Sequence, residues 1–267
     1  MTALARETGV GGSGRRPEAF SRGAEHMRQL GLMVQWQVRR SGQYLPLLVV
    51  VQVMLAVATV VGYGLLAGNP DRIAGLYLAT GAPTITLITV GLVMTPQTVL
   101  QSKTEGSLDW LRTLPAPREV FLLADLVMWT LIALPGTVVG VVVGALTFGV
   151  TLSPTWWLVP SILLVSLVSA SLGYAIGTLL PPTVAQLISQ VLVFTVMLFT
   201  PISYPSERLP GWARILHEWL PLEPMAQAVR AGLAPQEFSI APRSWIVLIV
   251  WCAISVLGAG LALRRRG

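Results

Sequence analysis

The sequence predicts an all-α membrane protein. It has six transmembrane helices, an N-terminal interfacial helix, a cytoplasmic helix between spans two and three, and an outer re-entrant helical hairpin between spans five and six. Three observations carry this. Residues 41–70, 73–102, 126–206 and 244–263 hold no charged side chain. The chain is 54% hydrophobic and 11% charged, against about 25% charged in a soluble domain. Its basic residues gather at the ends of alternate apolar stretches. A bilayer core about 30 Å thick needs roughly 20 apolar residues per helical span. The first, second and fourth stretches hold one span each. The third is 81 residues long (206 − 126 + 1) and, punctuated by Pro154 and Pro181-Pro182, holds three.

With the N-terminus in the cytoplasm, the cytoplasmic side receives 13 of the 18 basic residues. They are Arg6, Arg15, Arg16, Arg22, Arg28, Arg39, Arg40, Lys103, Arg112, Arg118 and Arg264–Arg266. The outer side receives Arg72, Arg208, Arg214, Arg230 and Arg243, offset by Asp71, Glu207, Glu218, Glu223 and Glu237. The excess of positive charge on inner loops selects this orientation. Both termini are then cytoplasmic.

Residues 1–25 are expected to be a disordered cytoplasmic tail. Arg15-Arg16 is followed by polar residues and not by an apolar run, which fits neither a cleaved signal nor a twin-arginine signal. Residues 26–267 are expected to form one membrane domain. In 26–40, Met27, Leu30, Val34 and Val38 make an apolar stripe, with Arg28, Gln35 and Arg39 away from it. That pattern reads as a helix lying along the inner leaflet, or else as an early start of the first span. The spans themselves are placed at about 44–67, 75–99, 119–149, 156–180, 183–203 and 244–263. Pro83 and Pro96 lie in or near the second and kink it. Gly136, Gly140 and Gly144 repeat every fourth residue on the third, a stripe for close helix approach. Asp125 is the ionisable residue nearest a span interior and reads as interfacial.

Between spans two and three, residues 103–118 carry Leu108, Leu111 and Leu114 every third residue, with Trp110 beside them and Pro115 and Pro117 closing the helix. A plain connection would not need exposed Leu108, Trp110 and Leu111, so the cluster suggests a protein partner. Between spans five and six, Trp212, Ile215, Leu216, Trp219 and Leu220 fall at i, i+3, i+4, i+7 and i+8. Pro210 and Pro221 bracket this amphipathic helix, and Pro224 opens a second one running through Arg230. The segment is too short and too charged to cross a bilayer. It is expected to dip into the outer interface, with Glu218, Glu223 and Arg230 pointing to water or to a partner.

Two motifs in order resemble the permease subunits of type-two ABC exporters. The first is Glu105-Gly106-Ser107-Leu108-Asp109-Trp110-Leu111-Arg112-Thr113-Leu114-Pro115. The second is Pro201-Ile202-Ser203-Tyr204-Pro205, with Leu209-Pro210-Gly211-Trp212, Pro221-Leu222 and Arg230. The run Pro221-Leu222-Glu223-Pro224 departs from the Asn-Pro often found there. The resemblance covers residues 26–267. It implies that 104–114 is a coupling helix seated on a separate ATPase, with Glu105, Gly106, Leu108, Trp110, Leu111 and Arg112 as contact residues. It also implies two ATPase subunits and two permeases, the second being another copy or a related chain, with Mg-ATP held by the ATPases. Spans one, two and five would line the path, and the outer hairpin would be a lid on the exit with Pro205, Trp212, Trp219 and Arg230 as gate residues. The expected home is the cytoplasmic membrane of a bacterium.

The residues themselves agree that no nucleotide site lies in this chain. Lys103, the only lysine, follows Gln101-Ser102, and no Gly-x-x-x-x-Gly-Lys-Ser/Thr loop exists. One cysteine, Cys252, and two histidines, His26 and His217, lie too far apart in sequence and topology for a metal site. No basic stripe interleaved with aromatics suggests nucleic acid. For the path, Thr84 and Thr86 on span two and Gln186, Ser189 and Gln190 on span five are the candidate polar residues, and each is also ordinary helix–helix glue. No charged residue lies deep in a span, which favours an ATP-driven machine over an ion-driven one. The expected cargo is a hydrophobic or amphiphilic drug- or antibiotic-like molecule. A lipid-linked polysaccharide or other lipid is the alternative. A non-transporting anchor and a lipid-modifying enzyme are the competing classes; the anchor would not need the 103–118 helix, and the enzyme would need surface carboxylate pairs or a histidine motif. Replacing Leu108 and Leu111 by Asp is expected to uncouple the complex while the chain still inserts, since an unpaired buried charge costs several kcal/mol. Persistence of both transport and ATPase association in the double variant would reduce 103–118 to a loop.

Overall fold

The computed structural model describes residues 18–105 and 118–264. Helix α1 spans Glu18–Ser41, starting well before the stripe at 26–40 that announced it, and a short turn separates it from α2, Leu45–Ala67. Span two is one long helix, α3, Arg72–Thr104. Next come α4 (Arg118–Phe148), α5 (Leu158–Leu179) and α6 (Pro182–Phe199). The hairpin consists of α7 (Gly211–Trp219) and α8 (Leu222–Leu233), and α9 (Pro242–Arg264) closes the chain. Among the described residues six helices, α2 to α6 and α9, are long and apolar enough to cross a membrane. Six alternating spans place the turn at 42–44, the end of α3 and the α5–α6 joint at one end of the bundle, here the proximal end. The 68–71 turn, the 149–157 strap and the whole of 200–241 lie at the distal end.

The ends of α2 and α4 are set by Gly68 and Gly149, at φ +63° and +61°, the left-handed conformation in which glycine stops a helix. Val150 N–H then donates back to the Ala145 carbonyl at 3.1 Å. Asp71 caps α3 by accepting from Ala74 N–H at 3.0 Å.

The centre of the bundle is α3. In its most apolar stretch 83% is buried, against 22% for α2 and 17% for α6, so the other spans wrap around it. Lipid tails are as apolar as leucine, so this wrapping depends on close packing, and glycines make it possible. A Cβ on Gly144 would stand 3.0 Å from Ala79 Cα, and one on Gly136 would stand 3.0 Å from the Gln52 carbonyl oxygen. The predicted stripe therefore packs α4 on α2 and α3. Buried Gln52 donates its amide to Met94 Sδ at 3.1 Å.

Midway, α3 widens into a π turn over Val90–Met94, with Thr95 N–H bonded to the Val90 carbonyl. Pro96 comes next. Its ring would clash with the carbonyl four residues back in a regular helix, and the extra residue in the turn relieves that clash. At the π turn α5 crosses so closely that a Cβ on Gly91 would overlap the backbone of Ser169 and Ala170. Gly173 lies against the Gly91 carbonyl in return. Substituting Gly91 by Ala is expected to destabilise the bundle by about 1–3 kcal/mol, because backbone on the far side cannot move away. Gly62→Ala, with open space around it, is expected to be neutral or stabilising. Thermal unfolding in detergent compares them; equal midpoints would refute the crossing.

Candidate functional site

The distal hairpin folds back onto α3 through one side chain. Arg230 lies on α8 among Met225, Ala226, Ala228, Val229 and Leu233, all buried, and is itself only 5% exposed. Its guanidinium sits over the Tyr77 ring at 4.0 Å and faces Phe238 at 5.4 Å. Nη2 donates to the Ile202 carbonyl at 2.5 Å, and Nε lies 3.4 Å from Thr80 Oγ1. Burial lowers its pKa to about 10, while Tyr77 and Glu223 oppose the shift. It therefore stays charged at neutral pH, held by a π face and carbonyl oxygen.

This corrects the expectation that Arg230 and Glu223 point outward. Both are buried, Glu223 being 6% exposed. The reason is that Glu223, Gln227 and Arg230, at i, i+4 and i+7, share one polar face of α8, and that face is covered by hydrogen-bonding partners on α3, at Ile202 and on α9. Glu223 accepts from Gln227 Nε2 at 3.1 Å, and Gln227 Oε1 accepts from Ser244 at 2.6 Å, joining α8 to the first turn of α9. Desolvation raises the Glu223 pKa, with hydrogen bonds from Ser206 and Gln227 and the nearby His217 opposing, and Glu218 adding to the rise. Glu218 pairs with Arg243 at 2.7 Å near the surface.

The outer-gate candidates separate. Trp212 and Trp219 stand exposed on α7 beside Ile215 and Leu216, and Ala213 and His217 form its buried face. Arg243 lies 4.8 Å over the Trp219 ring, and Trp251 Nε1 donates to the Trp219 carbonyl at 2.8 Å, fixing α7 against the distal half of α9. Pro205 lines a cavity of about 370 Å³ between the last turn of α2, the first turns of α3 and the 203–208 segment, together with Tyr63, Tyr77, Tyr204 and Arg208. The Tyr63 hydroxyl lies 3.4 Å from the Met197 carbonyl and the Tyr204 hydroxyl 3.4 Å from that of Leu198. These are carbonyls that the end of α6 leaves without a helical partner. Burial raises the Tyr204 pKa, and Tyr63 adds to the rise.

The path candidates are not gathered on one surface. Thr84 and Thr86 are buried inside the chain, each donating to its own helix, to Thr80 O at 2.8 Å and Ala82 O at 3.0 Å. Ser189 is turned inward and donates to Ala185 O at 2.8 Å. Gln186 and Gln190, one turn apart on α6, are exposed beside Leu187, Val191 and Phe194.

At the proximal end, Glu105 is exposed and accepts from Gln101 Nε2 at 2.7 Å. Gly106, Leu108, Trp110, Leu111 and Arg112 lie outside the described residues. Asp125 on α4 lies 3.5 Å from Gln37 Nε2 of α1, which ties α1 to α4. Sequence reasoning missed Lys103, which reaches α5 and donates to the Gly177 and Thr178 carbonyls, the latter at 2.9 Å. No local signal in the sequence names that partner. Among the described residues no three His, Cys, Asp or Glu side chains stand close enough to hold a metal ion.

A family model described as ABC-2 type transporter matches residues 28–234. That is 207 of 267 residues (234 − 28 + 1) and takes in α2 to α8. Comparison with the curated proteins finds no match.

The hairpin carries a pH signature. The Glu223 carboxyl has a raised pKa in the folded chain, so its contribution to stability is complete below the ordinary carboxyl pKa and is lost as pH rises through the folded one. Glu223→Gln is expected to remove this dependence. The difference in unfolding temperature, wild type minus variant, is expected to fall as pH increases from acid to neutral. A flat difference would show that burial does not govern this carboxyl.

Proposed function

The chain belongs to the ABC-2 type transporter family and is the membrane component of an ABC transporter, and we propose that it is the permease of an exporter of uncharged amphiphilic small molecules, of the drug or antibiotic kind. Two copies of this chain, or one with a related chain, assemble with two ATPase subunits, which bind Mg-ATP. The proximal end faces the cytoplasm of a bacterium, as the excess of basic residues on that side supports. Segment 104–114 seats on the ATPase, and the α7–α8 hairpin covers the outer exit.

The observation that carries this reading is the amide pair of α6. Gln186 and Gln190 stand exposed within a span. An amide facing hydrocarbon without a partner costs roughly 2 kcal/mol or more, so this face meets water, cargo or a second permease and not lipid. α2 likewise exposes apolar residues, Leu47, Val50, Met54 and Val61. Neither α2 nor α6 carries a charge, so a strongly charged cargo would find no counter-charge between them. Apolar walls with a few amides suit an amphiphile.

Isolation of the tagged chain from its native membrane is expected to bring down an ATP-hydrolysing subunit. Hydrolysis is expected to vanish when that subunit is stripped away, and an uncharged amphiphilic dye is expected to accumulate in inverted vesicles only with ATP. Hydrolysis persisting in the bare chain would overturn the permease reading. Dye uptake unaffected by Gln186→Leu combined with Gln190→Leu would remove α6 from the path.

A further inference from the structure

Lys103 stands in the last turn of α3, two residues before Glu105, where the segment assigned to the ATPase contact begins. Its ammonium crosses to α5 and bonds the Gly177 and Thr178 carbonyls. These belong to the final turn of α5, where carbonyls lack intrahelical partners and the helix dipole is negative. The two helices are pressed together there. A Cβ on Gly177 would stand 3.0 Å from both Pro96 Cα and Val99 Cβ of α3. The chain has no other lysine, and at this joint a flexible ammonium reaches two carbonyls at once.

The joint between α5 and α6 makes this contact more than a cap. Helix α5 ends at Leu179, and Pro181-Pro182 leads directly into α6. Two consecutive prolines fix their backbone φ angles and contribute no N–H. Leu180 N–H bonds the Ile176 carbonyl at 3.2 Å and Ala185 N–H the Pro181 carbonyl at 2.9 Å, so hydrogen bonds continue on both sides of the joint. The position of the last turn of α5 therefore sets where α6 starts and how it is aimed. Gln186 lies one turn beyond Pro182. α6 itself is little buried, so few contacts along its length resist a tilt.

We propose that Lys103 is a positioning residue for transport: it joins the root of the ATPase-facing segment to the α5–α6 joint and so transmits a shift of that segment into a tilt of α6. This rests on the permease reading above. The push enters α3 at its proximal end, passes through the ammonium to the Gly177 and Thr178 carbonyls, and turns α6 about Pro181-Pro182. The rest of α3, locked by the π-turn crossing, serves as the fixed post.

The test uses the whole complex with its ATPase, reconstituted in nanodiscs. Cys252→Ser removes the only cysteine, and Val191→Cys places a reporter on the exposed face of α6. The rate of maleimide labelling is measured without nucleotide and after trapping with ATP and vanadate. With Lys103 present the two rates are expected to differ. With Lys103→Met their ratio is expected to fall to about one while ATP hydrolysis and assembly continue, and Lys103→Arg is expected to restore the difference. A cap with only a structural role would lower the yield of Lys103→Met without removing the nucleotide response of the molecules that assemble. A wild-type ratio in Lys103→Met overturns the proposal, as does a ratio of one when Lys103 is intact. Should Lys103→Met fail to accumulate, Lys103→Gln, which keeps an amide donor group and loses the charge, is expected to reduce the ratio, and a full response there also overturns the proposal. Absence of any associated ATPase would instead bring down the permease reading, a result distinguishable from the others before any labelling is done.

Discussion

The carbonyls that a helix leaves open at its C-terminus need partners, and where the end is covered by protein those partners must come from the protein itself. This chain meets that demand with groups from distant parts of the sequence. The end of α5 takes the ammonium of Lys103. The Met197 and Leu198 carbonyls at the end of α6 face the phenols of Tyr63 and Tyr204, and just beyond them the Ile202 carbonyl takes the guanidinium of Arg230. The end of α8 receives the N–H groups of Ser153 and Thr155, both at 2.9 Å to the Leu233 and Gly232 carbonyls. Each of these bonds also fixes one element against another. The termination of helices and the tertiary arrangement are one problem with one set of solutions.

The consequence is clearest for α6. A span with so little of its surface buried would ordinarily be free to shift along its neighbours. Here it is held at its ends, by the proline joint on α5 below and by the Tyr63, Tyr204 and Arg230 contacts above. Between them only a narrow face, with Ala185, Ser189 and Val196, is buried, and Gln186 and Gln190 stand exposed in its proximal half. A helix fastened at its termini and thinly packed between them meets less resistance to a tilt than to a shift along its axis.

Much of this was legible in the residues. Charge-free runs located the spans, and the Gly136, Gly140 and Gly144 spacing announced the face by which α4 packs. The amphipathic pattern of 212–220 gave α7 its two faces, with Ala213 and His217 inside. What escaped was every feature defined by a partner far away. A hydrophobic pattern says which face of a helix is covered, not by what. Arg230 was read as solvent-facing because arginine usually is and because it shares a polar face of α8 with Glu223 and Gln227; the groups that cover that face, Tyr77, Ile202 and Ser244, lie outside the helix. The π turn hides for the opposite reason: the strain of Pro96 is local, but its relief at Val90–Met94 depends on α5 pressing against Gly91. Thr84 and Thr86 looked like pore residues because hydroxyls are polar, yet each bonds the carbonyl one turn back and behaves as an apolar group.

Arg230 also imposes an order of events on biogenesis. Synthesis delivers the N-terminal part of a chain first, and Thr80 and Tyr77 on α3 precede this arginine by about 150 residues. The Ile202 carbonyl is presented only after α6 has been threaded. Until all three are assembled, the guanidinium has no aromatic face and no acceptor, and its place is in the aqueous or headgroup phase. The 200–241 segment therefore reaches its place only after α3 and α6 are assembled. A chain stalled before that step would carry its hairpin undocked, with the guanidinium of Arg230 held by water in place of the Tyr77 ring and the Ile202 carbonyl.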